Sequence, residues 1–217
     1  MTKVVVNGAK GKMGQLICQI LAQNNFEVLT REIGDKTCQK ADLIIDFSSP
    51  QGAEESYKLA KEFKAAFLCG TTNLPETLKA SFESEKQIPL FYAPNVSIGV
   101  ALFKNLLIEA KKMYKGYTLA LHEIHHTQKK DAPSGTAKNL AAALNIRQEQ
   151  ITYERIGQVP GTHTLILTSP SKDEEIILTH KVLDRQMLAQ SAVKVGEWLL
   201  KQKAGFYNMN NYLEGLK

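Results

Sequence analysis

Short apolar segments alternate with longer amphipathic segments along the first half of the chain. The short segments cover residues 3–7, 26–29, 41–47, 65–69 and 88–92, and the first of them is a β-branched run of the kind expected in a buried parallel strand. The longer segments repeat apolar residues at helical spacing, and they cover about residues 13–22, 51–63 and 75–85. This alternation predicts an α/β fold in which helices cover both faces of a parallel sheet.

Turn residues follow three of these predicted strands, at Gly8, Gly70 and Asn95. Parallel sheets bind ligands outside the carboxyl ends of their strands. We therefore expect the three turns to lie together at one edge of the sheet.

The pattern changes at about residue 97. A helix is predicted over 102–113, followed by a strand over 117–125, where side chains alternate with a period of two. Further elements are a helix over 134–144, two strands over 162–168 and 174–180, and a last amphipathic helix over 187–201 that packs back on the first domain. The sequence therefore predicts two domains, residues 1–97 with 186–217, and residues 98–185.

The composition limits the classes of function. The 217 residues are 43% hydrophobic and 23% charged, as in an ordinary globular protein with a buried core. The net charge of +5 is spread along the chain, so we expect anionic small molecules rather than nucleic acid as partners. We expect no signal segment and no membrane span. Cys18, Cys38 and Cys69 lack CxxC spacing and indicate reduced thiols in a cytoplasmic protein.

A glycine-rich segment, Gly8–Gly14, lies between the first predicted strand and the first predicted helix. Glycines let a backbone approach a pyrophosphate, and the helix N-terminus attracts its negative charge. Glu32, eighteen positions beyond Gly14, would accept a hydrogen bond from a ribose 2′-hydroxyl. We predict a dinucleotide-binding site. A tight turn without a ligand is the alternative for the glycines, and Glu27 or Asp35 is the alternative for the carboxylate.

Residues 122–136, HEIHHTQKKDAPSGT, concentrate groups that can carry chemistry. Imidazole titrates near neutral pH, so His125 and His126 beside Lys129 indicate proton transfer to an anionic substrate. The turn Pro133–Thr136 resembles the start of a helix, whose N–H groups suit a carboxylate or a phosphate. A reductase of a small dicarboxylate would need this combination.

The same segment contains HExxH, the pattern of zinc proteases. That chemistry requires a helix, whereas the alternation around His122 is that of a strand. On a strand, His122 and His126 would lie about 13 Å apart at roughly 3.3 Å per residue, too far for one metal ion. We therefore expect no metal site, with a zinc hydrolase as the alternative.

Residues 123–137 resemble the E-x-H-H-x-x-K-x-D-A-P-S-G-T-A signature of the 4-hydroxy-tetrahydrodipicolinate (dihydrodipicolinate) reductase family of lysine and diaminopimelate biosynthesis. Other segments resemble the family from end to end, at residues 8–14, 46–48, 70–72, 95–99, 159–163 and 179–185. The resemblance implies a Rossmann-like domain that binds NADH and/or NADPH. It also implies a smaller α+β domain, with a mixed sheet, for substrate binding and oligomerisation, and a homotetramer.

The resemblance also implies roles for single residues. His125 would be the acid/base histidine and Lys129 the proton donor. His126 would bind the substrate, and Gly135 and Thr136 would hold a substrate carboxylate. The dinucleotide would contact Gly8, Ala9, Lys10, Gly11, Lys12, Met13, Glu32, Gly70, Thr71, Thr72, Ala93, Pro94, Asn95 and Val96. The implied reaction is hydride transfer to the ring with loss of water, which gives tetrahydrodipicolinate.

One departure from the family pattern bears on the cofactor. Many members follow the ribose-binding acid with Arg, which can meet the 2′-phosphate of NADPH, whereas Ile33 follows Glu32 here. Arg31, Lys12 or Lys36 is the available substitute. Because Glu32 would repel a phosphate, we expect dual use with NADH favoured.

Four other matched positions have no assigned role in the reaction. The family's Ser-Arg pair is Asp184-Arg185 here, and we expect His163 and His180 to be structural. A non-catalytic NAD(P)-sensing regulator is a further alternative. Such a protein would keep the glycine-rich segment without needing His125 and Lys129.

Overall fold

The computed structural model describes residues 1–35 and 39–216. It divides into two compact units, Met1–Ile98 with Gln186–Lys217, and Gly99–Arg185. Each unit has its own sheet and its own hydrophobic core. Of the helices in the described ranges, none combines the length and the apolar character that crossing a bilayer requires.

The elements follow one another in the order that the hydrophobic pattern predicts. The strands are β1 Lys3–Asn7, β2 Glu27–Arg31, β3 Leu43–Asp46, β4 Ala66–Cys69, β5 Pro89–Tyr92, β6 Thr118–His125, β7 Ile151–Arg155, β8 Gly161–Thr168, β9 Glu175–Val182 and β10 Gly205–Tyr207. The α-helices are α1 Lys12–Gln23, α2 Pro50–Phe63, α3 Glu76–Glu83, α4 Ile98–Met113, α5 Gly135–Leu144, α6 Gln186–Leu199 and α7 Met209–Glu214. Every predicted helix and strand is present.

The first unit is built on a six-stranded sheet in the order β10-β5-β4-β3-β1-β2. All neighbouring strands are parallel, which confirms the predicted parallel sheet. β1 has β2 on one side and β3 on the other, so the order of the strands reverses at β1. The carboxyl ends of β1 and β3 therefore border the crevice in which such sheets bind ligands.

Helices cover both faces of this sheet. Ile44 of β3 packs in a core with residues of α2 and α3. Leu43 and Ile45 lie on the opposite face, where a Cβ on Gly196 of α6 would be only 2.9 Å from Leu43. Because both faces are covered, the strand residues are apolar without alternation. α6 also packs against α1, which confirms that the last long helix returns to the first unit.

The second unit is built on a four-stranded sheet in the order β7-β6-β8-β9. β6 is parallel to β7 and antiparallel to β8, so the sheet is mixed, as the family resemblance implied. One face forms a core in which Leu121 and Leu165 pack with Leu140 of α5. The other face carries Ile166 and Ile177, which are cross-strand neighbours, and Ile177 is 60% exposed.

The hydrophobic pattern does not predict β7, β10 or α7. In β7 the three central residues are all exposed, so no alternation marks the strand. β10 has only three residues and α7 only six, and the start of α7 is set by the side chain of Asn208, which accepts hydrogen bonds from its first turn. These elements are too short or too exposed to leave a periodic signal.

The close approach of α1 to the glycine-rich turn leads to a prediction about stability. A Cβ on Gly14 would lie 2.1 Å from the carbonyl oxygen of Gly8, a backbone atom that has little room to move. Overpacking costs about 1–3 kcal/mol. We therefore expect Gly14→Ala to lower the Tm by about 2–12 °C in thermal unfolding followed by circular dichroism.

Gly135→Ala is the matched control. Gly135 also lies in the first turn of a helix, but a Cβ there would meet nothing within 4 Å. Equal Tm values for the two variants would contradict the packing argument.

Candidate active site

The glycine-rich segment forms a tight turn between β1 and α1. Gly8 has a φ of +78°, and a Cβ there would lie 2.7 Å from the carbonyl oxygen of Phe47. The N–H of Gly11 donates to the carbonyl of Gly8 at 3.0 Å, which closes the turn. Backbone, rather than side chains, therefore lines this part of the carboxyl edge of the sheet.

The N-terminus of α1 differs from those of α2 and α5. Ser49 and Ser134 cap α2 and α5 by accepting a hydrogen bond from the first turn, whereas Gly11 gives α1 no side-chain cap. Lys10 and Lys12, both exposed, add positive charge beside this helix end. An uncapped helix N-terminus next to two lysines fits the pyrophosphate of a dinucleotide.

Glu32 lies directly after β2 and contacts the glycine-rich turn. Its Oε1 accepts a hydrogen bond from the N–H of Lys10 at 2.8 Å. The two alternative carboxylates have other partners: Glu27 pairs with Lys3 at 3.0 Å, and Asp35 accepts from the N–H of Glu32 at 2.9 Å. Of these three carboxylates, Glu32 is the one beside the turn.

Arg31 is not available to a cofactor phosphate. Its side chain is buried, with Nη1 donating to Oδ1 of Asn7 at 3.0 Å and Nη2 donating to Oε2 of Glu55 at 3.0 Å. The interpretation that Arg31 replaces the family's phosphate-binding arginine is therefore wrong, because its charge is enclosed and already balanced. Lys36, another candidate for contact with the phosphate, lies outside the described residues.

Asp46, at the end of β3, ties the neighbouring loops together. Its Oδ2 accepts from Nδ2 of Asn7 at 2.6 Å, and its Oδ1 accepts from Oγ1 of Thr71 at 2.5 Å. Oγ1 of Thr71 in turn accepts from the N–H of Ser48 at 2.9 Å. The side chain of Thr71 is thus used within the protein, so a ligand of this loop would meet its backbone.

The remaining predicted cofactor residues lie at the same edge of the sheet. Gly70–Thr72 follow β4, and a Cβ on Gly70 would lie 2.3 Å from the ring of Phe47. Ala93–Val96 follow β5, where the N–H of Ala93 donates to the carbonyl of Cys69 at 3.2 Å. The structure therefore brings the turns after β1, β4 and β5 together, as expected from the parallel order.

In the second unit, one face of β6 changes from apolar to polar along the strand. Leu121 lies opposite Leu165 of β8 in the core. Two residues further, Glu123 lies opposite His163, and His125 completes the row. These three polar residues are at most 7% exposed. Because side chains alternate along a strand with a period of two, the face that is hydrophobic at Leu121 becomes a buried polar cluster at Glu123 and His125.

The carboxylate of Glu123 has partners at both oxygens. Oε2 is hydrogen-bonded to Nδ1 of His125. Oε1 accepts from the N–H of Ser134 at 2.9 Å and from Nη2 of Arg155 at 3.0 Å. Burial acts to raise the pKa of Glu123, but the N–H of Ser134 and the guanidinium of Arg155 outweigh it, and the pKa lies below its ordinary value. Glu123 is therefore a buried anion.

The two buried imidazoles are uncharged at neutral pH. Burial lowers the pKa of His125, although Glu123 acts in the opposite direction. Burial also lowers the pKa of His163 to about 4, and His125 adds to this effect. The two rings pack edge to face with their centroids 5.2 Å apart. When Nδ1 of a neutral imidazole is used in a hydrogen bond, Nε2 is the nitrogen that remains to interact with another group.

Lys129 and the start of α5 hold the same carboxylate. Nζ of Lys129 lies 2.8 Å from Oδ1 of Asp131, and Oδ2 of Asp131 accepts from the N–H of Gly135 at 3.2 Å. Thr136, which follows in α5, and His126, which follows β6, are half-buried. The loop between β6 and α5 thus combines an ammonium group, a helix N-terminus and the neighbouring imidazoles.

Glu123, His125 and His163 could geometrically hold a metal ion, because their ligand atoms lie within 4.8 Å of one another. Both oxygens of Glu123 already have partners, however, and one partner is the guanidinium of Arg155. That fixed positive charge opposes a cation at this position. The hydrogen bonds, rather than a metal ion, account for the arrangement.

The HExxH pattern lies on a strand, as its alternation predicts. His122 is on the opposite face of β6 from His125, with Nδ1 2.8 Å from Oγ1 of Thr152 and Nε2 3.2 Å from Glu154. His126 follows the end of the strand. A zinc protease needs both histidines on one face of a helix, so the zinc-hydrolase alternative is wrong.

From the sequence, no part in the reaction is assigned to four residues of this candidate site, which are Glu123, Asp131, Arg155 and His163. Glu123 could have been found, because it shares a strand face with His125 through the period of two. His163 was expected to be structural, and the structure places it against the ring of His125. Arg155 lies on β7, which leaves no periodic signal.

Acid is expected to destabilise the protein through His163. Its pKa is about 4 in the folded state against about 6.5 in the unfolded state, so the unfolded state binds the extra proton between these values. The free energy of unfolding therefore falls as the pH drops through this window, by about 3 kcal/mol at about 1.4 kcal/mol per pKa unit. Urea unfolding between pH 7 and 4 would measure the change.

His163→Gln is expected to flatten this dependence. His122→Gln, on the opposite face of β6, is the control and is expected to retain it. An equally steep fall in His163→Gln would show that other groups, such as His125 and His180, carry the effect.

Comparisons with known proteins place the chain in a family. Two family models match it, "Dihydrodipicolinate reductase, N-terminus" over residues 24–96 and "Dihydrodipicolinate reductase, C-terminus" over residues 99–213. A 4-hydroxy-tetrahydrodipicolinate reductase of Campylobacter jejuni subsp. doylei is 33% identical, over 100% of this chain and 98% of its own. The protein of that name from Bdellovibrio bacteriovorus is 34% identical, over 98% of this chain and 96% of its own.

A solved structure gives the same result for the fold. Dipicolinate-bound dihydrodipicolinate reductase from Paenisporosarcina sp. TG-14 superposes with a TM-score of 0.74 at 20% identity, over 96% of this chain and 97% of its own. With the fold, the signature segment and the full-length relatives in agreement, the chain belongs to the dihydrodipicolinate reductase family.

Proposed function

We propose that this chain reduces 4-hydroxy-tetrahydrodipicolinate to tetrahydrodipicolinate with loss of water, the reaction for which its relatives are named. One observation carries the proposal: a single loop joins an imidazole, an ammonium group and a helix N-terminus. Glu123 links His125 to Ser134, and Asp131 links Lys129 to Gly135. This arrangement suits a small dicarboxylate. The solved relative that binds dipicolinate, a ring with two carboxylates, supports the same substrate class.

We assign the groups of this loop as follows. Lys129 attracts the anionic substrate and donates a proton as negative charge reaches the ring nitrogen. General acid catalysis of this kind contributes roughly 10²–10⁴-fold. The neutral His125 lies at the buried side of the site and exchanges protons through Nε2. Gly135 and Thr136 hold a substrate carboxylate at the start of α5, and His126 is a further substrate contact.

The first unit fits a nicotinamide dinucleotide, which supplies the hydride when it is bound. The turn at Gly8 leaves no room for a side chain, and α1 offers a helix end without a side-chain cap. Glu32 lies where it can accept from a ribose hydroxyl. Because Arg31 is buried and paired, and Ile33, which follows Glu32, is 41% exposed and uncharged, we propose that NADH is favoured while NADPH is also used.

We also propose a homo-oligomer, and a homotetramer by family resemblance. The open face of the second sheet supports this, because the cross-strand neighbours Ile166 and Ile177 lie on it and Ile177 is 60% exposed. A cytoplasmic location is proposed on the free thiols of Cys18 and Cys69. Cys38 lies outside the described residues.

The reaction itself can be tested with a synthase that generates the substrate, while the absorbance of the reduced cofactor is followed. We expect substrate-dependent oxidation by the wild-type protein and a kcat lower by about 10²–10⁴-fold in Lys129→Ala. Binding of NADH, measured by fluorescence, is expected to stay unchanged.

Lys130→Ala is the control, because Lys130 is the exposed neighbour of Lys129. Cofactor binding by the wild-type protein without substrate-dependent oxidation would favour the NAD(P)-sensing regulator. Similar kcat values for the two lysine variants would remove Lys129 from the reaction.

Cofactor preference is expected to depend on Glu32. Removing its charge in Glu32→Gln weakens a hydrogen bond to the ribose and relieves repulsion of a 2′-phosphate. We therefore expect the ratio of kcat/KM for NADH to that for NADPH to fall by about tenfold, the size of one charge-assisted hydrogen bond. Glu27→Gln, at the other end of β2, is the control and is expected to keep the wild-type ratio. Equal ratios in both variants would place the ribose elsewhere.

A further inference from the structure

Glu123 links two parts of the proposed site, the imidazole of His125 and the start of α5. We propose that Glu123 is a positioning residue that fixes the proton of His125 on Nδ1 and holds the start of α5 at a set distance from the imidazole ring. The inference rests on the proposed function, in which His125 and Gly135–Thr136 act on one substrate.

The contact with Glu123 determines which nitrogen of His125 carries the proton. A carboxylate can only accept hydrogen bonds, so the nitrogen bonded to Oε2 of Glu123 must carry a hydrogen. A neutral imidazole has a single N–H, which leaves a lone pair on Nε2. Nε2 lies beside Gly161, where even a Cβ would come within 3.0 Å of it. Because Gly161 has no side chain, this edge of the ring fits beside it.

Glu123 also contacts the residue that caps α5. The other oxygen of Glu123 accepts the N–H of Ser134 at 2.9 Å, while Oγ of Ser134 caps the helix by accepting from the N–H of Ala137 at 3.1 Å. Ser134 is therefore held on both sides, and Gly135 follows it directly. One rigid carboxylate group thus spaces the imidazole from the helix N-terminus that is proposed to bind the substrate carboxylate.

Arg155 balances the charge of Glu123. Nη2 of Arg155 lies 3.0 Å from Oε1 of Glu123 and also donates to the carbonyl of Asp131 at 2.6 Å. Arg155 therefore keeps the buried carboxylate ionised and ties the loop that carries Lys129 and Asp131 to the same point. Arg155 is a second positioning residue in this scheme.

Glu123→Gln would change this network without a change of volume. The amide has one oxygen, which Ser134 and Arg155 both require as an acceptor, so its NH₂ group would face Nδ1 of His125. Nδ1 would then have to accept, and the ring proton would move to Nε2. The substitution is expected to reverse the tautomer of His125.

Nitrogen NMR of protein labelled with ¹⁵N-histidine, near neutral pH, tests the tautomer directly. We expect Nδ1 of His125 to carry the proton in the wild-type protein and Nε2 to carry it in Glu123→Gln. A wild-type His125 protonated on Nε2 would overturn the proposal. The wild-type spectrum gives this answer even if the variant does not fold.

Kinetics tests the consequence. Glu123→Gln is expected to lower kcat by about 10²-fold, the order of a general acid–base contribution, with the Kd for NADH unchanged. Glu154→Gln is the matched control, because Glu154 lies on the neighbouring strand β7 and contacts His122 on the other face of β6. A Glu123→Gln variant with a lower Tm but with wild-type kcat and tautomer would show a merely structural role and overturn the proposal.

The proposed function and the positioning role of Glu123 are contradicted by different outcomes. If the wild-type protein shows no substrate-dependent oxidation of NADH, the proposed function fails, whatever the spectrum shows. If the wild-type protein is active but the tautomer is the same in both proteins, only the positioning role of Glu123 fails.

Discussion

A carboxylate without access to water organises the second unit. Isolated in the interior, such an anion would cost several kcal/mol, so its charge has to be matched by donors from other segments. Glu123 on β6 recruits the neighbouring imidazole of His125, the backbone of Ser134 and the guanidinium of Arg155 from β7. These partners come from one strand, a loop and a second strand. The requirement to match one charge thus fixes the relative positions of groups that are proposed to act together.

A buried carboxyl group also organises the first unit, but its hydrogen-bond partners are of a different kind. Asp46 is as fully buried as Glu123, but side-chain amide and hydroxyl groups, such as those of Asn7 and Thr71, supply its hydrogen bonds. Its role is to hold the turns after β1, β3 and β4 at one edge of the sheet. The glycines of these turns then bring the backbone close to that edge. In both units a fully buried carboxyl group thus holds a cluster of loops together.

The sequence predicts those elements whose apolar residues recur at a regular spacing. The parallel sheet, the helices that cover it and the strand at residues 117–125 follow from apolar periodicity, because burial on one or both faces imposes that period. Glu32 could be selected by its position after a strand, although its contact with Lys10 could not. Arg31 was one of three candidates for a phosphate contact, and its hydrogen bonds to Asn7 and Glu55 could not be predicted from its position beside Glu32. Arg155 could not be predicted, since β7 lies at a sheet edge with three exposed residues in a row.

The contact between Asp131 and the start of α5 has a consequence for how an anion enters the site. Lys129 and the N–H of Gly135 already share the carboxylate of Asp131, so a substrate carboxylate bound at Gly135, as proposed, would take the place of an internal one. Binding there would exchange one anion for another, and the ammonium group would keep a counter-ion throughout. Such an exchange would favour ligands with two negative charges over ligands with one, because the second charge would supply attraction that the internal carboxylate does not.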